Sequence, residues 1–501
     1  MLASVSAAMA CGSAFAQQNG APLYMPDGAE FRRSDVVEVA RALARRPFTP
    51  LASPLPDWLT GLNQEQYAII RNRPDRAVWI DQPRGLALAP LHRGFIYQAP
   101  VQIFAVEGGK IRRLVYSTQR YDFGRVVPPP NVGDIGFSGF RLVRSRGGDQ
   151  PPRDIVQFQG ATFLRAAARG QVNGVVARAL SLKTGDPRGE EFPFFRAFWI
   201  EPPQRDETAI VHALLDTESV AGVFSYTIRA DEVTLIDTEA AVFPRVALDN
   251  FGISGMQATY LYSVADKRGI DDYRAGVHET SGLQMLSGAG EWIYRPVVNP
   301  RQLQISAFVD ENPRGFGLVL RDRDFALFQD HDARFEARPA LWVEPIGDWG
   351  PGAVQLIEIP SDNEIHDNII VNWRPKEPLA AGSEHFLAYR QHWAWGPPER
   401  VPLATAIGYR VGRSNAPRRR RFVVDFAGEK LATMKQEEIA PAFWCSNNGM
   451  SNLRVIQGVG GKATRVAFDL ETGNESLIEL RLVLRAGDAP VSETWLYRWT
   501  P

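Results

Sequence analysis

The chain has 501 residues, enough for two or three domains. Hydrophobic residues make up 45% and charged residues 23%, which excludes an intrinsically disordered protein. The formal net charge is -1, so the chain lacks the overall basic excess typical of nucleic-acid binding. With 43 glycines and 36 prolines the chain is turn-rich, which suits short strands rather than long helices.

Residues 1–16 read as a signal peptide ending in the small-residue pattern Ala14-Phe15-Ala16. The first basic side chain is Arg32, so a positive n-region would lie upstream of Met1, unless the segment is an alanine-rich tail of a cytosolic protein. Cleavage removes Cys11 and leaves Cys445 as the single thiol, so neither an internal disulfide nor a Cys-based zinc site is expected. The apolar spacing of Val36, Val37, Ala40, Leu43 and Ala44 predicts a helix over 34–46. Asn63 with Gln66 three residues on has capping-box spacing and predicts a second helix over 63–72. From about residue 76 the pattern becomes short strands. Val101, Ile103 and Ala105 alternate with Gln102 and Phe104 before a Gly108-Gly109 turn, and similar runs lie at 316–320 and 354–359. Turn signals recur at Gly147-Gly148-Asp149, Gly185-Asp186-Pro187 and Gly350-Pro351-Gly352. The pattern predicts an all-β fold, a large antiparallel sandwich over 30–396. No stretch is long and apolar enough for a transmembrane helix.

A boundary is expected at 397–421, a linker between Gly396-Pro397-Pro398 and the run Arg418 to Arg421. Beyond it, Phe422, Val424 and Phe426 alternate with polar or smaller residues, and Ile478, Leu480, Leu482 and Leu484 alternate with Glu479, Arg481, Val483 and Arg485. Residues 422–501 therefore read as a small immunoglobulin-like sandwich.

Zincin, P-loop and nucleophile-elbow signatures are absent, and the histidines are not spaced as metal ligands, so no metal and no organic cofactor is expected. What stands out is a density of acids and aromatics in the middle third. It includes Glu190-Glu191-Phe192, His278-Glu279, Glu291-Trp292 with Arg295, Trp342 with Glu344, Asp348-Trp349, and Asp367 followed by Trp373. A neutral carbohydrate suits such a surface. Aromatic faces pack on sugar C–H faces, carboxylates and Arg bind hydroxyls, and glycoside cleavage itself needs two carboxyl groups.

These segments resemble the periplasmic glucan biosynthesis proteins G and D of bacteria. The likeness is collinear from Tyr67 to Trp373. It is carried by Gly136-Phe137-Ser138-Gly139-Phe140-Arg141, Ala213-Leu214-Leu215-Asp216, Gly290 to Pro296, Pro313 to Leu318, Arg321 to Phe325, Gln329-Asp330, Trp342 to Pro345 and Asp367-Asn368-Ile369, with Ser492-Glu493-Thr494-Trp495 near the end. The resemblance implies a galactose-mutarotase-like sandwich followed by an immunoglobulin-like one. It also implies a periplasmic location and inverting cleavage or rearrangement of a β-1,2-linked glucan. Carried over, the general acid falls on Asp367 and the base on Glu279. His278, Glu291, Trp292, Arg295, Asp330, Trp342, Glu344, Asp348, Trp349 and Trp373 are the expected substrate contacts. Some relatives form homodimers.

The chain departs from the family pattern at the base. Glu279 stands where Asp is usual and Ser281 where Asp or Asn is usual, while Asn173, Ala179, Lys183 and Pro202 also differ. The extra methylene of Glu shifts the carboxylate by roughly an ångström, a misplacement that can cost ~100-fold in rate. The alternative function is therefore a non-catalytic glucan-binding or chaperone-like factor. A third class is a cytosolic enzyme on the same fold.

Overall fold

The computed structural model describes residues 24–50, 54–82, 85–144, 153–203, 207–267, 269–399, 401–461 and 463–501. The signal-peptide reading and the turn at Gly147-Gly148-Asp149 lie outside these residues. Nearly every long element is a β-strand, and most pairs are antiparallel.

Two large sheets dominate, one of fifteen strands and one of nine. Their facing sides enclose a single core that includes Phe140, Phe158, Phe198, Phe224, Tyr226, Leu356 and Val371. The strand Val220–Ala230 shows how the sequence builds this. Phe224, Tyr226 and Ile228 point into the core. Ala221 and Val223 point the other way, beneath the helix Arg33–Ala44. That helix, expected at 34–46, buries Val36, Ala40 and Leu43 against the outer face of the larger sheet. It also explains Gln102–Glu107. Ile103 and Ala105 face inward as the alternation suggests, but Phe104 meets the helix side and stacks on Trp199 at 5.3 Å. A strand covered on both faces needs no polar side.

The second helix, Gln64–Ile69, is shorter than the sequence suggests. Its capping box is present. Gln66 N donates to Asn63 Oδ1 at 2.8 Å and Asn63 N to Gln66 Oε1 at 3.0 Å. The helix stops at Ile70, whose backbone is extended and leads into the strand Arg71–Asn72. In the Gly136–Arg141 run, Gly139 takes φ +154, and a Cβ there would overlap the Phe158 carbonyl oxygen, so the close approach of these strands requires glycine.

At the C-terminal end, Thr405–Arg413, Arg419–Ala427, Met450–Val459 and Ala463–Glu471 form a four-stranded sheet. With Ala440–Cys445, Ile478–Ala486 and Thr494–Trp499 it encloses Phe422, Val424, Phe426, Phe468, Leu480, Leu482 and Leu484. The alternation in both predicted strands therefore faces this second core. The latter three strands also continue the fifteen-stranded sheet. Trp292–Pro296 pairs in parallel with Thr494–Trp499, Ile293 opposite Thr494 and Tyr294 opposite Trp495. The stretch 397–421 contains the strand Thr405–Arg413. Arg321 ties the two sandwiches, donating to Glu493 Oε1 at 2.5 Å and to the Ala406 carbonyl at 2.6 Å. Cys445 is free and buried. Among the described residues no helix is long and apolar enough to cross a membrane.

Candidate active site

The strand Phe251–Ala258 lies between Ile369–Pro375 and Val176–Leu182, and all its residues are buried. A glutamine in such a strand is unfavourable unless its amide is paired. Gln257 is paired at both ends. Its Oε1 accepts from Arg178 Nε, and its Nε2 donates to Asp367 Oδ2 at 2.6 Å. A guanidinium has only donors, so Arg178 fixes which end of the amide faces Asp367. Arg178 is itself paired with Glu190, which also accepts from Thr184 Oγ1 at 2.6 Å.

Asp367 is held at the entrance to Ile369–Pro375 by its neighbour. Asn368 Oδ1 accepts from Tyr260 N at 2.8 Å, and its Nδ2 donates to the carbonyls of Tyr260 at 2.9 Å and Ile359 at 3.0 Å. The amide thus completes the backbone bonding of two segments and leaves the Asp367 side chain free to point outward. Thr259 Oγ1 lies 3.3 Å from Asp367 Oδ1, 3.1 Å from the His366 carbonyl and 3.2 Å from the Glu364 carbonyl. Thr259 holds Glu279 as well. Glu279 N donates to the Thr259 carbonyl at 2.9 Å, and Thr259 N lies 3.4 Å from Glu279 Oε2. Glu279 Oε1 forms an ion pair with Arg338. Burial draws the Arg338 guanidinium down to about 10, with the carboxylates of Asp367 and Glu364 working against it, so it remains charged at neutral pH. Glu190, Arg178, Gln257, Asp367, Thr259, Glu279 and Arg338 therefore form one polar chain.

Asp367 opens on a groove of about 910 Å³. Phe192 and Phe194 on its wall are 43% and 40% exposed, and Ile96 and Ile365 also stand out from it. The Arg178 guanidinium sits 5.6 Å from the Phe163 ring and 5.7 Å from the Phe192 ring. Arg165, Glu190 and Gln257 add polar groups along the same wall. Apolar ring faces beside charged donors and acceptors match the two-sided chemistry of a sugar. Glu279 is not on the wall. Its side chain is only 6% exposed and its carboxylate is taken up by Arg338 and Thr259.

The other expected contacts fall elsewhere. Trp373 is wholly buried in the main core, and Trp292 and Trp342 stack on each other 5.8 Å apart in a separate apolar cluster. Trp373 faces the main core, whereas Trp342, flanked by the core-facing Leu341 and Val343, lies with Trp292 on the other face of the sheet under Val401, so all three are packing residues. Trp349 is partly buried against Phe316, Trp373 and Tyr389. Arg295 and Glu358 form a buried ion pair at 3.3 Å. Glu291 binds Arg481 and Thr494, joining the two sandwiches. Glu344 pairs with His392 at 2.9 Å, which holds its carboxyl below the usual range. Asp348 accepts from Gly350 N at 2.8 Å within a turn. His278 is buried against Tyr260 and Phe328. Its Nδ1 donates to the Tyr262 carbonyl at 3.1 Å, and burial pushes it down to about 4, so it is neutral. Asp330 does lie near the site, paired with Arg274 at 2.7 Å, and Glu364 shares that arginine at 2.8 Å.

Of the departures from the family pattern, Ser281 serves the backbone. Its Oγ donates to the Val319 carbonyl at 3.1 Å and accepts from Arg321 N at 3.0 Å. Lys183 pairs with Glu191 at 2.8 Å. Sequence reasoning missed Arg178, Gln257, Thr259, Arg274 and Arg338 as site residues. A signal existed for one of them, since Gln257 is a lone long polar side chain in an otherwise buried strand. Among the described residues no group of three or more His, Cys, Asp or Glu is disposed to hold a metal ion.

Fold and site together define an all-β sandwich protein with a sugar-compatible groove and a carboxylate in its wall. A family profile described as "Periplasmic glucan biosynthesis protein, MdoG" matches residues 31–499. The chain is 42% identical over 476 residues to Glucans biosynthesis protein G of Shewanella baltica (strain OS195), covering 94% of this chain and 87% of that one. It is also 42% identical over 477 residues to Glucans biosynthesis protein G 1 of Shewanella oneidensis, with the same coverage of 94% and 87%. Among solved structures, a polysaccharide lyase aligns with 72% of this chain and 44% of its own at 9% identity and a TM-score of 0.24, too distant to carry an argument. The chain belongs to the MdoG family of periplasmic glucan biosynthesis proteins, and its compartment is the periplasm.

Proposed function

We propose that the groove binds a β-1,2-linked glucan backbone and that the protein cleaves or transfers it with inversion, Asp367 as acid and Glu279 as base. The observation that carries this reading is the convergence of both carboxyl groups on Thr259, with Asp367 in the wall of a groove bearing exposed aromatics and Glu279 buried behind it. In this mechanism Asp367 gives its proton to the bridging oxygen as the C1–O bond breaks. A water attacks C1 from the opposite face, and its proton passes through intervening water to Glu279. A sugar hydroxyl in place of that water gives transfer rather than hydrolysis. Thr259 Oγ1 is within hydrogen-bond reach of Asp367 Oδ1 and of the His366 and Glu364 carbonyls, so it can steady the Asp367 carboxyl against its own loop. Arg338 compensates the negative charge a base must carry.

A second reading, a glucan-binding factor without turnover, is favoured by the burial of Glu279 behind Thr259 and its ion pair with Arg338. One experiment separates the two. Purified protein is incubated with linear β-1,2-glucan, and new reducing ends and chain length are followed. Catalysis predicts turnover that Asp367→Asn abolishes and Glu279→Gln lowers roughly 100-fold or more, with binding retained. Binding without turnover in the unmodified protein establishes the second reading.

A further inference from the structure

We infer that Arg274 is a positioning residue for Asp367, holding the loop that carries it by clasping three carboxylates from three segments. The inference rests on the catalytic reading above. The Arg274 side chain is 13% exposed. Its Nη1 donates to Asp330 Oδ2 at 2.7 Å, and its Nη2 donates to Asp272 Oδ2 at 2.8 Å and lies 2.8 Å from Glu364 Oε2. Its Nε completes the fork on Asp272 at 3.2 Å.

Each partner anchors its own segment. Lys267 Nζ donates to the carbonyls of Asp272 and Arg274, stiffening the loop the arginine stands on. Asp330 accepts from Ala333 N at 2.8 Å and Asp332 N at 3.0 Å, closing the turn after the helix Phe325–Phe328. Glu364 precedes Asp367 by three residues, and its carbonyl lies 3.2 Å from Thr259 Oγ1. A planar guanidinium with five donors serves three carboxylates while forking onto Asp272, and an ammonium, with its donors on one atom, cannot reproduce that fork. Without Arg274 the carboxylates of Asp272, Asp330 and Glu364 lose the cation they share, and the segment 361–367 loses its outer tether.

The acid acts only as the glycosidic bond breaks, so its misplacement lowers kcat and kcat/KM together and spares KM. The test uses the full chain with Arg274→Gln, Arg274→Lys and Glu364→Gln. Amide hydrogen exchange is followed over 361–367 and 329–334, together with kcat and KM on linear β-1,2-glucan and a thermal melt. Arg274→Gln should speed exchange in both segments by about tenfold or more and cut kcat by roughly 10–100-fold at unchanged KM. Arg274→Lys should fall between it and the unmodified protein. Glu364→Gln, the milder change, should loosen 361–367 alone and lower kcat at unchanged KM. Unchanged exchange in 361–367, or a loss residing wholly in KM, overturns the inference. If the unmodified protein shows no turnover, the proposed function falls, and exchange in 361–367 alone decides whether Arg274 holds the Asp367 loop.

Discussion

Arg178 determines which end of the Gln257 side chain meets Asp367. Its Nε donates to Gln257 Oε1, and the amide nitrogen is thereby presented to Asp367 Oδ2 at 2.6 Å. The expectation is that Arg178→Gln frees the amide to flip and lets Asp367 rotate, lowering turnover by roughly tenfold or more with the fold intact. Gln257→Glu is the harsher change, because it sets a second carboxylate against Asp367 and should remove nearly all turnover. Reducing-end assays beside thermal melts check both. Full activity in Arg178→Gln means the orientation of Asp367 is held by Thr259 and the backbone alone.

The exposed rings of the groove wall bear on binding rather than on stability. Phe192 and Phe194 lie beside the paired Arg178 and Glu190 and remain 43% and 40% exposed. Truncating a half-exposed ring removes little buried area, so Phe192→Ala and Phe194→Ala should melt close to the unmodified protein. Each removes a stacking face of about 1–2 kcal/mol for a bound sugar ring, or roughly 5–30-fold in affinity, by analogy with aromatic stacking elsewhere. Calorimetric titration of the Asp367→Asn protein with glucan oligosaccharides measures this. By contrast, Trp373→Phe should change the melt and leave binding alone, because Trp373 is a core residue.

Acid should destabilise the fold through two buried histidines. His278 and His92 are both pushed down to about 4 by burial, from an ordinary value near 6.5. Between pH 4 and 6.5 the unfolded chain therefore binds protons that the folded chain does not. Stability is fully present above about 6.5 and falls as the pH drops through that window, by up to about 3 kcal/mol per histidine. His92 is embedded among Trp58, Tyr116, Tyr121 and Phe123, and its Nε2 meets the Tyr116 hydroxyl at 2.8 Å, so it has no room for a solvated charge. Urea denaturation at pH 7 and pH 5 should show the loss, and His278→Gln should flatten its share of the slope. An unchanged slope in that variant would place the acid sensitivity in the carboxylates instead.

Much of the architecture was legible because alternation and capping are local. The Asn63–Gln66 capping box and the inward faces of Phe422, Val424 and Phe426 follow from spacing alone. What spacing does not encode is which second surface covers a strand. Phe104 stands on the off-core side of an alternating run, and the helix Arg33–Ala44 supplies its partner. The site was legible in part for the same reason. Asp367 and Glu279 were reached through motif likeness, but the groups that orient them come from distant strands and loops: Arg178, Gln257, Thr259 and Arg338. The tryptophans misled because a ring beside acids reads alike whether it faces a sugar or a core. The pleat turns Trp373 into the main core and Trp342 to the other face of its sheet, where Trp292 covers it.

Arg295 illustrates the same ambiguity with a charge, and its role is open to a direct energetic test. It is paired with Glu358 at 3.3 Å, and both side chains are essentially inaccessible. Burial raises the Glu358 carboxyl above its ordinary range, with Arg295 working against it. Glu358 Oε1 also accepts from Val298 N at 2.8 Å. Arg295→Met leaves a buried carboxylate without its cation, a change that typically costs about 3–5 kcal/mol. Adding Glu358→Gln removes the charge but keeps the acceptor for Val298, so the double variant should recover most of that loss. The pH dependence has a definite sign. In Arg295→Met the folded state holds a proton on Glu358 that the unfolded state releases, so stability should fall as the pH rises from 5 to 7. The deficit is therefore smaller at pH 5, and the double variant should not show this trend. Denaturant titrations of the three proteins at both pH values decide it. A single variant as stable as its parent would mean that water or a rearranged neighbour replaces the arginine, and that the pair contributes little to joining Trp292–Pro296 to Gly352–Glu358.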